Sequence, residues 1–309
     1  MTRLFGIVGV FALSGFITTG CNMQELMVNM TAPVLKNATR STQAEIDPAL
    51  AREAAPGQLK TVDGFLESAP HNPLILAILA QGYAEYSFGF LEDDLEQIPD
   101  NDKHATQRIA VAARATGSYD KALGFALRLI ALKDKKRELE AALKKDVTSV
   151  EAAVAKLDKK SIHGLFFGGL ALASAINLNR TDLGRVADLG KAVAMIKRAY
   201  DLDPNFANGG PAMTLGVIKS SQGKAMGGDP DAAKKYFEQA IASTEGKYLL
   251  SRVMMARYFA VITENRDLFE KTLKAVIATP ADVFPAQRLA NELAKRRAER
   301  YLKHAEDLF

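Results

Sequence analysis

The sequence has a single cysteine, Cys21, and that scarcity excludes an internal disulfide framework and any thiolate metal site. Its four histidines, His71, His104, His163 and His304, are scattered without the i, i+4 pairing or His-Glu combination of a zinc site, so no metal is expected. Also missing are a Gly-x-Ser-x-Gly elbow, a P-loop and a Gly-x-Gly-x-x-Gly turn. Ser221 and Lys224 do form a Ser-x-x-Lys pair, but the companion Ser-Asp-Asn and Lys-Thr-Gly elements are lacking. No catalytic residue and no cofactor are therefore expected, and the chain does not read as an enzyme. A strong charge of either sign is absent too: 40 Lys and Arg against 36 Asp and Glu give a formal net charge of +4, which does not argue for nucleic acid.

What is present begins at the N-terminus. Arg3, the uncharged run Leu4 to Ile17, and Thr18-Thr19-Gly20 before Cys21 follow the order of n-region, h-region and cleavage site. The run is shorter than the ~20 residues a spanning helix needs, so residues 1–20 read as a signal peptide. Small residues directly before a cysteine resemble a bacterial lipobox, with Thr18 standing where leucine is usual. Cys21 then becomes the lipidated first residue, and the body sits in the periplasm, tethered to an envelope membrane. The other reading is a plain secretory peptide abutting a buried cysteine. No later stretch reads as long and apolar enough for a second span.

Residues 21–46 are polar and rich in Thr and Asn, which suits a tether or a loosely packed first helix. The regular pattern starts at Asp47-Pro48, an N-cap with proline at the first helical position, followed by Leu50, Ala54, Leu59, Val62, Phe65 and Leu66 at helical spacing. Asn72-Pro73 repeats the signal before a second apolar stretch, so the two segments predict an αα-hairpin. Further helices are expected near 104–115, 119–145, 148–157, 162–177, 185–202, 207–222, 229–243, 247–262, 265–278 and 285–306. No strand alternation separates them, and the class is all-α.

Two sets of residues hint at repetition. Ala192, Ile196 and Ala199 before Pro204 have the offsets of the second helix of a tetratricopeptide repeat, and Ala233, Phe237 and Ala240 reproduce them. Their separation exceeds the usual period of about 34 residues, which points to an insertion at Gly223 to Pro230. The expected fold is an irregular array of helical hairpins with cryptic tetratricopeptide-like repeats, filling residues 47–309. Lys133 to Lys160 is strongly charged, either a solvated face or a basic surface meeting a partner. Gly82, Gly89, Gly164, Gly168 and Gly169 sit inside apolar helices, where each costs about 1 kcal/mol against alanine. Close helix packing compensates such glycines; together with aromatic residues they also suit a hydrophobic cavity wall.

Beyond the lipobox, five segments carry a family resemblance: Ala51 to Lys60 (AREAAPGQLK), Ala80 to Asp93 (AQGYAEYSFGFLED), Asp203 to Pro211 (DPNFANGGP), Gly227 to Lys234 (GGDPDAAK) and Arg288 to Arg297 (RLANELAKRR). Together they resemble the TatT-like T-component lipoproteins of tripartite ATP-independent periplasmic (TRAP) transporters, over about residues 47 to 300. The resemblance implies a helical fold with cryptic repeats, a homotrimer, a pore-like hydrophobic cavity through each protomer, and the transporter's periplasmic substrate-binding protein as partner. It transfers no catalytic signature. Cavity candidates are Tyr83, Tyr86, Phe88 and Phe90 from the second segment, with Phe166 and Phe167 beside Gly168; Asn208, Gly209 and Gly210 are candidates for a turn shaping the cavity mouth. The expected ligand is small and hydrophobic or amphipathic, such as an organic acid with a lipid-like tail. The competing reading is a helical-repeat scaffold that organises an envelope complex.

Overall fold

The computed structural model describes residues 19–221 and 227–309. Residues 1–18 of the signal peptide expected over residues 1–20, the side chain of Cys21, Lys224 of the Ser221–Lys224 pair and residues 223–226 of the expected 223–230 insertion lie outside the described residues. Among the described residues there are helices and turns and no strand, so the class is all-α.

Three helix starts show how short polar side chains place the elements. Asp47 accepts a hydrogen bond from the Ala49 N–H at 2.8 Å and opens α2 (Pro48–Ser68). Asn72 accepts from Leu74 and Ile75, both at 2.9 Å, and opens α3 (Pro73–Tyr86). Asp229 accepts from Ala232 at 3.0 Å ahead of α12 (Pro230–Ala242). In each case the cap satisfies backbone donors that a helix cannot satisfy internally, and the following proline needs no donor of its own.

Before α2 runs α1 (Thr19–Gln43), which buries Val28 and Ala32 against the body and ties Asn29 to Asn72 at 2.7 Å. Its other side leaves Met23, Met27, Met30 and Val34 exposed. After α3 a π turn (Ser87–Leu91) leads into α4 (Glu92–Gln97), then α5 (Ala105–Ala131), α6 (Glu138–Leu143), α7 (Val147–Ala155) and α8 (Ile162–Leu178). α5 joins what the sequence suggested were two helices. It runs through Gly117, and the break comes instead before Arg137, whose φ of 51° ends the approach to α6. The charged stretch 133–160 is thereby divided between loops and the short helices α6 and α7, where Lys156 pairs with Glu138 at 2.6 Å.

The second half continues with α9 (Leu183–Ala187), α10 (Leu189–Leu202), α11 (Phe206–Ser221) and α12. α13 (Leu249–Met254), a second π turn (Met255–Ala260), α14 (Arg266–Ala278) and α15 (Arg288–Lys303) complete the chain. Neighbours in sequence pack in turn: α3 on α5, α5 on α8, α8 on α10, α10 on α11 and α11 on α12. Small residues set the spacing. A Cβ on Gly164 would sit 2.9 Å from the Ala126 carbonyl of α5, and one on Gly169 would sit 2.8 Å from Ile196 of α10. These glycines therefore serve close helix packing. The repeat-like residues Ala192, Ile196 and Ala199 are buried on α10, as are Ala233, Phe237 and Ala240 on α12.

Two described helical segments correct the expectation about membrane spans. Pro73–Gln97 and Lys159–Leu178 are each long and apolar enough to cross a bilayer by length and composition. Within the fold 56% and 67% of those windows is buried, because neighbouring helices cover the apolar surface that lipid would otherwise cover.

The array does not stay open. α15 returns to pack on α1 and α2, and its buried Arg297 donates to the Phe88 carbonyl at 2.6 Å. Arg300 reaches Asp93 at 2.7 Å, and Tyr301 donates to Glu96 at 3.0 Å. Residues from the two ends of the chain thus close the array around an interior space.

Candidate functional site

That space is a cavity of about 1150 Å³, with walls drawn from α3, α8, α9, α10, α11, α13 and the second π turn. A smaller cavity of about 180 Å³ adjoins it between α1, α2, α3 and α15. The two share Gln43, Glu85, Phe88, Tyr248, Leu250 and Gln287 as lining residues, so the junction between them is partly polar.

The aromatic side chains singled out in the sequence divide between these spaces. Phe166 and Phe167 of α8 line the large cavity with ring centroids 4.9 Å apart, and Phe206 closes on Phe166 edge-on at 6.0 Å. Tilted and edge-to-face contacts of this kind favour a rigid wall. Phe88 lines both cavities; Tyr86 and Phe90 line the small one. Tyr83 lines neither. Its ring stacks on Phe125 of α5 at 5.8 Å, in the core between α3 and α5. Gly82 and Gly89 also line the small cavity, unlike the packing glycines of α8.

Asn208 and Gly210 line the large cavity, whereas Gly209 stands behind the wall. Three successive residues there are left-handed, with φ values of 48° at Ala207, 60° at Asn208 and 78° at Gly209. The left-handed region costs roughly 1–2 kcal/mol for a residue with a Cβ, so Ala207 stores strain at the cavity wall. Gly209 escapes that cost and admits a close approach: a Cβ there would lie 2.9 Å from the Ala240 Cα of α12.

Both π turns border the cavities, contributing Phe88, Gly89 and Phe90 from the first and Tyr258 from the second. One extra residue per turn shifts the side chains that follow, a device common where a helix is locally re-aimed at a site. The Ser87 hydroxyl anchors the first π turn to α5 by donating to the Ala115 carbonyl at 3.0 Å.

Polar groups line the large cavity as well, and the sequence reading did not identify them. Glu85 accepts from Gln81 at 2.7 Å, and burial pushes its carboxyl pKa up. Glu92 accepts from the Tyr119 hydroxyl; burial raises its pKa from 4.5 to about 7, against the opposing pull of that hydrogen bond and of Arg297. His163 lies 3.2 Å from Gln81 Oε1, and burial holds it neutral by pushing its pKa down to about 4. Burial likewise raises the pKa values of Tyr248 and Tyr258. The available signal was spacing: Gln81 and Glu85 stand four residues apart inside an otherwise apolar run, and Glu92 follows seven residues later where that run ends. Among the described residues no group of His, Cys, Asp or Glu could hold a metal ion.

This arrangement suits holding an apolar or amphipathic molecule inside a largely preformed helical shell. Comparison with known proteins places the chain in a wider context. A curated protein of Treponema pallidum (strain Nichols), described as an uncharacterized protein, is 22% identical over 274 residues, covering 88% of this chain and 83% of that one. The family model for the TRAP transporter T-component matches residues 44–309, the whole of the helical array from just before α2 to the C-terminus. The chain therefore belongs to the TRAP transporter T-component family.

Proposed function

We propose that this T-component is a periplasmic accessory lipoprotein that docks the substrate-binding protein of its TRAP system and holds a small hydrophobic or amphipathic ligand in the interior cavity. Family membership supports the accessory role in a TRAP system and carries no enzymatic activity with it. The observation that carries the ligand reading is the cavity of about 1150 Å³, large for a protein interior packed otherwise to crystal-like density and walled by Phe166, Phe167, Leu170 and Val193. Assembly as a homotrimer and tetratricopeptide-like repeat architecture belong to the same proposal. Small residues between paired helices, as at Gly169 on Ala192 and Ile196, support the repeat reading.

Filling the cavity tests the ligand reading. Val193 is half-buried and borders the empty space, so a tryptophan there extends into the void instead of displacing neighbours. Val193→Trp is expected to weaken binding of an apolar, environment-sensitive naphthylamine dye by about tenfold, with a stability change below the ~1–3 kcal/mol of an overpacked core. Unchanged dye binding, or no binding in the parent protein, would reject the cavity as a ligand site.

The membrane tether rests on the lipobox-like order that ends at Cys21. Cys21→Ser is expected to abolish fatty-acid labelling and to release the mature protein or leave its precursor unprocessed. Persistent labelling of that variant would exclude acylation at Cys21.

A further inference from the structure

The polar groups of the cavity are unbalanced in a way that bears on the ligand's head group. Gln81, Glu85, Phe88 and Glu92 share one face running from α3 through the π turn to the start of α4, and all four line the large cavity. The Glu85 side chain is accessible to solvent yet surrounded by protein, because the spaces it borders are the two cavities that meet beside it. Its carboxylate accepts from Gln81 at 2.7 Å and more distantly from Gln43 at 3.5 Å. Since Gln81 directs its amide N–H at Glu85, its carbonyl oxygen accepts a hydrogen bond from His163 Nε2–H. That leaves His163 Nδ1 as a buried acceptor without a donor among the described residues. Tyr248 and Tyr258 also line the cavity, and among the described residues neither hydroxyl has a hydrogen-bond partner.

Cations do not balance these acceptors. Among the described residues neither Glu85 nor Glu92 forms an ion pair. Arg297 is the nearest cation to Glu92. It lines the small cavity, but its guanidinium lies over the Phe88 ring at 4.2 Å and is bonded to the Phe88 carbonyl at 2.6 Å and to Asp93 at 3.4 Å, and it forms no ion pair with Glu85 or Glu92 among the described residues. The other groups around Glu92 are Tyr119 of α5, Glu96 of α4 and Tyr258 of the second π turn; none brings positive charge. Arg180 and Lys219 also line the cavity, but both are exposed or half-exposed and bonded to Asn177 and Gly227. Such water-accessible charges are screened.

We propose that the cavity selects an amphiphile whose head is a hydrogen-bond donor, an alkylammonium ahead of an alkanol, seated at Glu85 where the two cavities meet and backed by Glu92, and that it discriminates against a carboxylate head. This rests on the ligand reading above and narrows it. The apolar tail lies along Phe166, Phe167, Leu170 and Val193. A carboxylate placed at Glu85 would set two like charges side by side between protein walls, whereas an ammonium gains a charge-assisted hydrogen bond there. The raised pKa values of both carboxyl groups are what burial without a counter-cation produces.

The test is displacement of the bound naphthylamine dye by three probes with the same tail, decylamine, decanol and decanoate, near neutral pH and below their micelle concentrations. Decylamine is expected to bind about tenfold more tightly than decanoate, with decanol between them. Glu85→Gln is expected to remove most of that preference and Glu92→Gln a smaller part, while far-UV circular dichroism of both variants matches the parent and so reports an intact helical fold. Equal or tighter binding of decanoate would overturn the proposal; if Arg180→Gln or Lys219→Gln then weakened it, the head would be assigned to the rim. Dye binding without displacement by any probe would also overturn it. Absence of dye binding in the parent protein would instead remove the ligand reading beneath it.

Discussion

Arg297→Met is expected to destabilise the fold by about 3–5 kcal/mol, the cost of removing one member of a buried charged network. The side chain is 2% exposed, and it serves several partners at once. It donates to the Phe88 carbonyl at 2.6 Å, neighbours Asp93 at 3.4 Å and covers the Phe88 ring at 4.2 Å. Methionine fills much of the volume but leaves the carbonyl without its donor and Asp93 with Arg300 alone. For a chain of this size each kcal/mol corresponds to roughly 2–4 °C, so thermal unfolding should fall by about 10 °C. Arg300→Gln is the control, because Arg300 is 17% exposed and shares Asp93 and Glu96 at the edge of the same network. Its loss should cost less than that of Arg297. If both variants melt together, or Arg297→Met melts with the parent, the network does not hold the array closed. Because Phe88 borders both cavities, a real loss at Arg297 should also weaken dye binding.

Arg297 also shows which parts of this fold were legible in the sequence. Its segment contributed to the family resemblance, but no local pattern marks one arginine of an Arg-Arg pair as buried and its neighbour Arg296 as exposed. That difference is made by residues some two hundred positions away, through a contact that exists only once the array closes. Helix starts were different. Asp47, Asn72 and Asp229 act through donors two or three residues downstream, so local chemistry sufficed to read them.

The cavity was legible in part. Aromatic residues on α3 and α8 were recognisable as candidates, but the side chains of a fully apolar helix give no sign of which neighbour each one meets. Tyr83 and Tyr86 are three residues apart, and one stacks in the core while the other borders the small cavity. The two π turns change the angular register by a full residue, which a 3.6-residue period does not anticipate. Ala207 was equally opaque: Asn208-Gly209 signals positive φ, but nothing local predicts it for the alanine before them. Glu85, by contrast, was an acid inside an apolar run, and that departure from pattern was a readable mark of the site, whereas Glu92 opens the acidic stretch Glu92-Asp93-Asp94 and did not stand out from it.

The same Glu92 gives the second large effect, a stability that falls as pH rises. Its folded-state pKa of about 7 stands above the ordinary 4.5, so the native state binds its proton more tightly than the unfolded chain does. Stability from this group is therefore fully present below about pH 4.5, is lost as pH rises towards 7, and stays lost above it. The shift corresponds to about 3 kcal/mol at most, and partial exposure to the cavity reduces the realised value. Glu92→Gln keeps an acceptor for Tyr119 and has no proton to release, so it should be close to the parent near pH 4 and more stable by about 1–3 kcal/mol near pH 8. Urea unfolding of both proteins at the two pH values isolates the effect, since contributions from Glu96, Arg297, Tyr258 and the rest of the chain are common to both. A difference between parent and variant that does not change with pH would show that Glu92 is ionised in the native state, and that its cavity-facing carboxyl is better solvated than its enclosure implies.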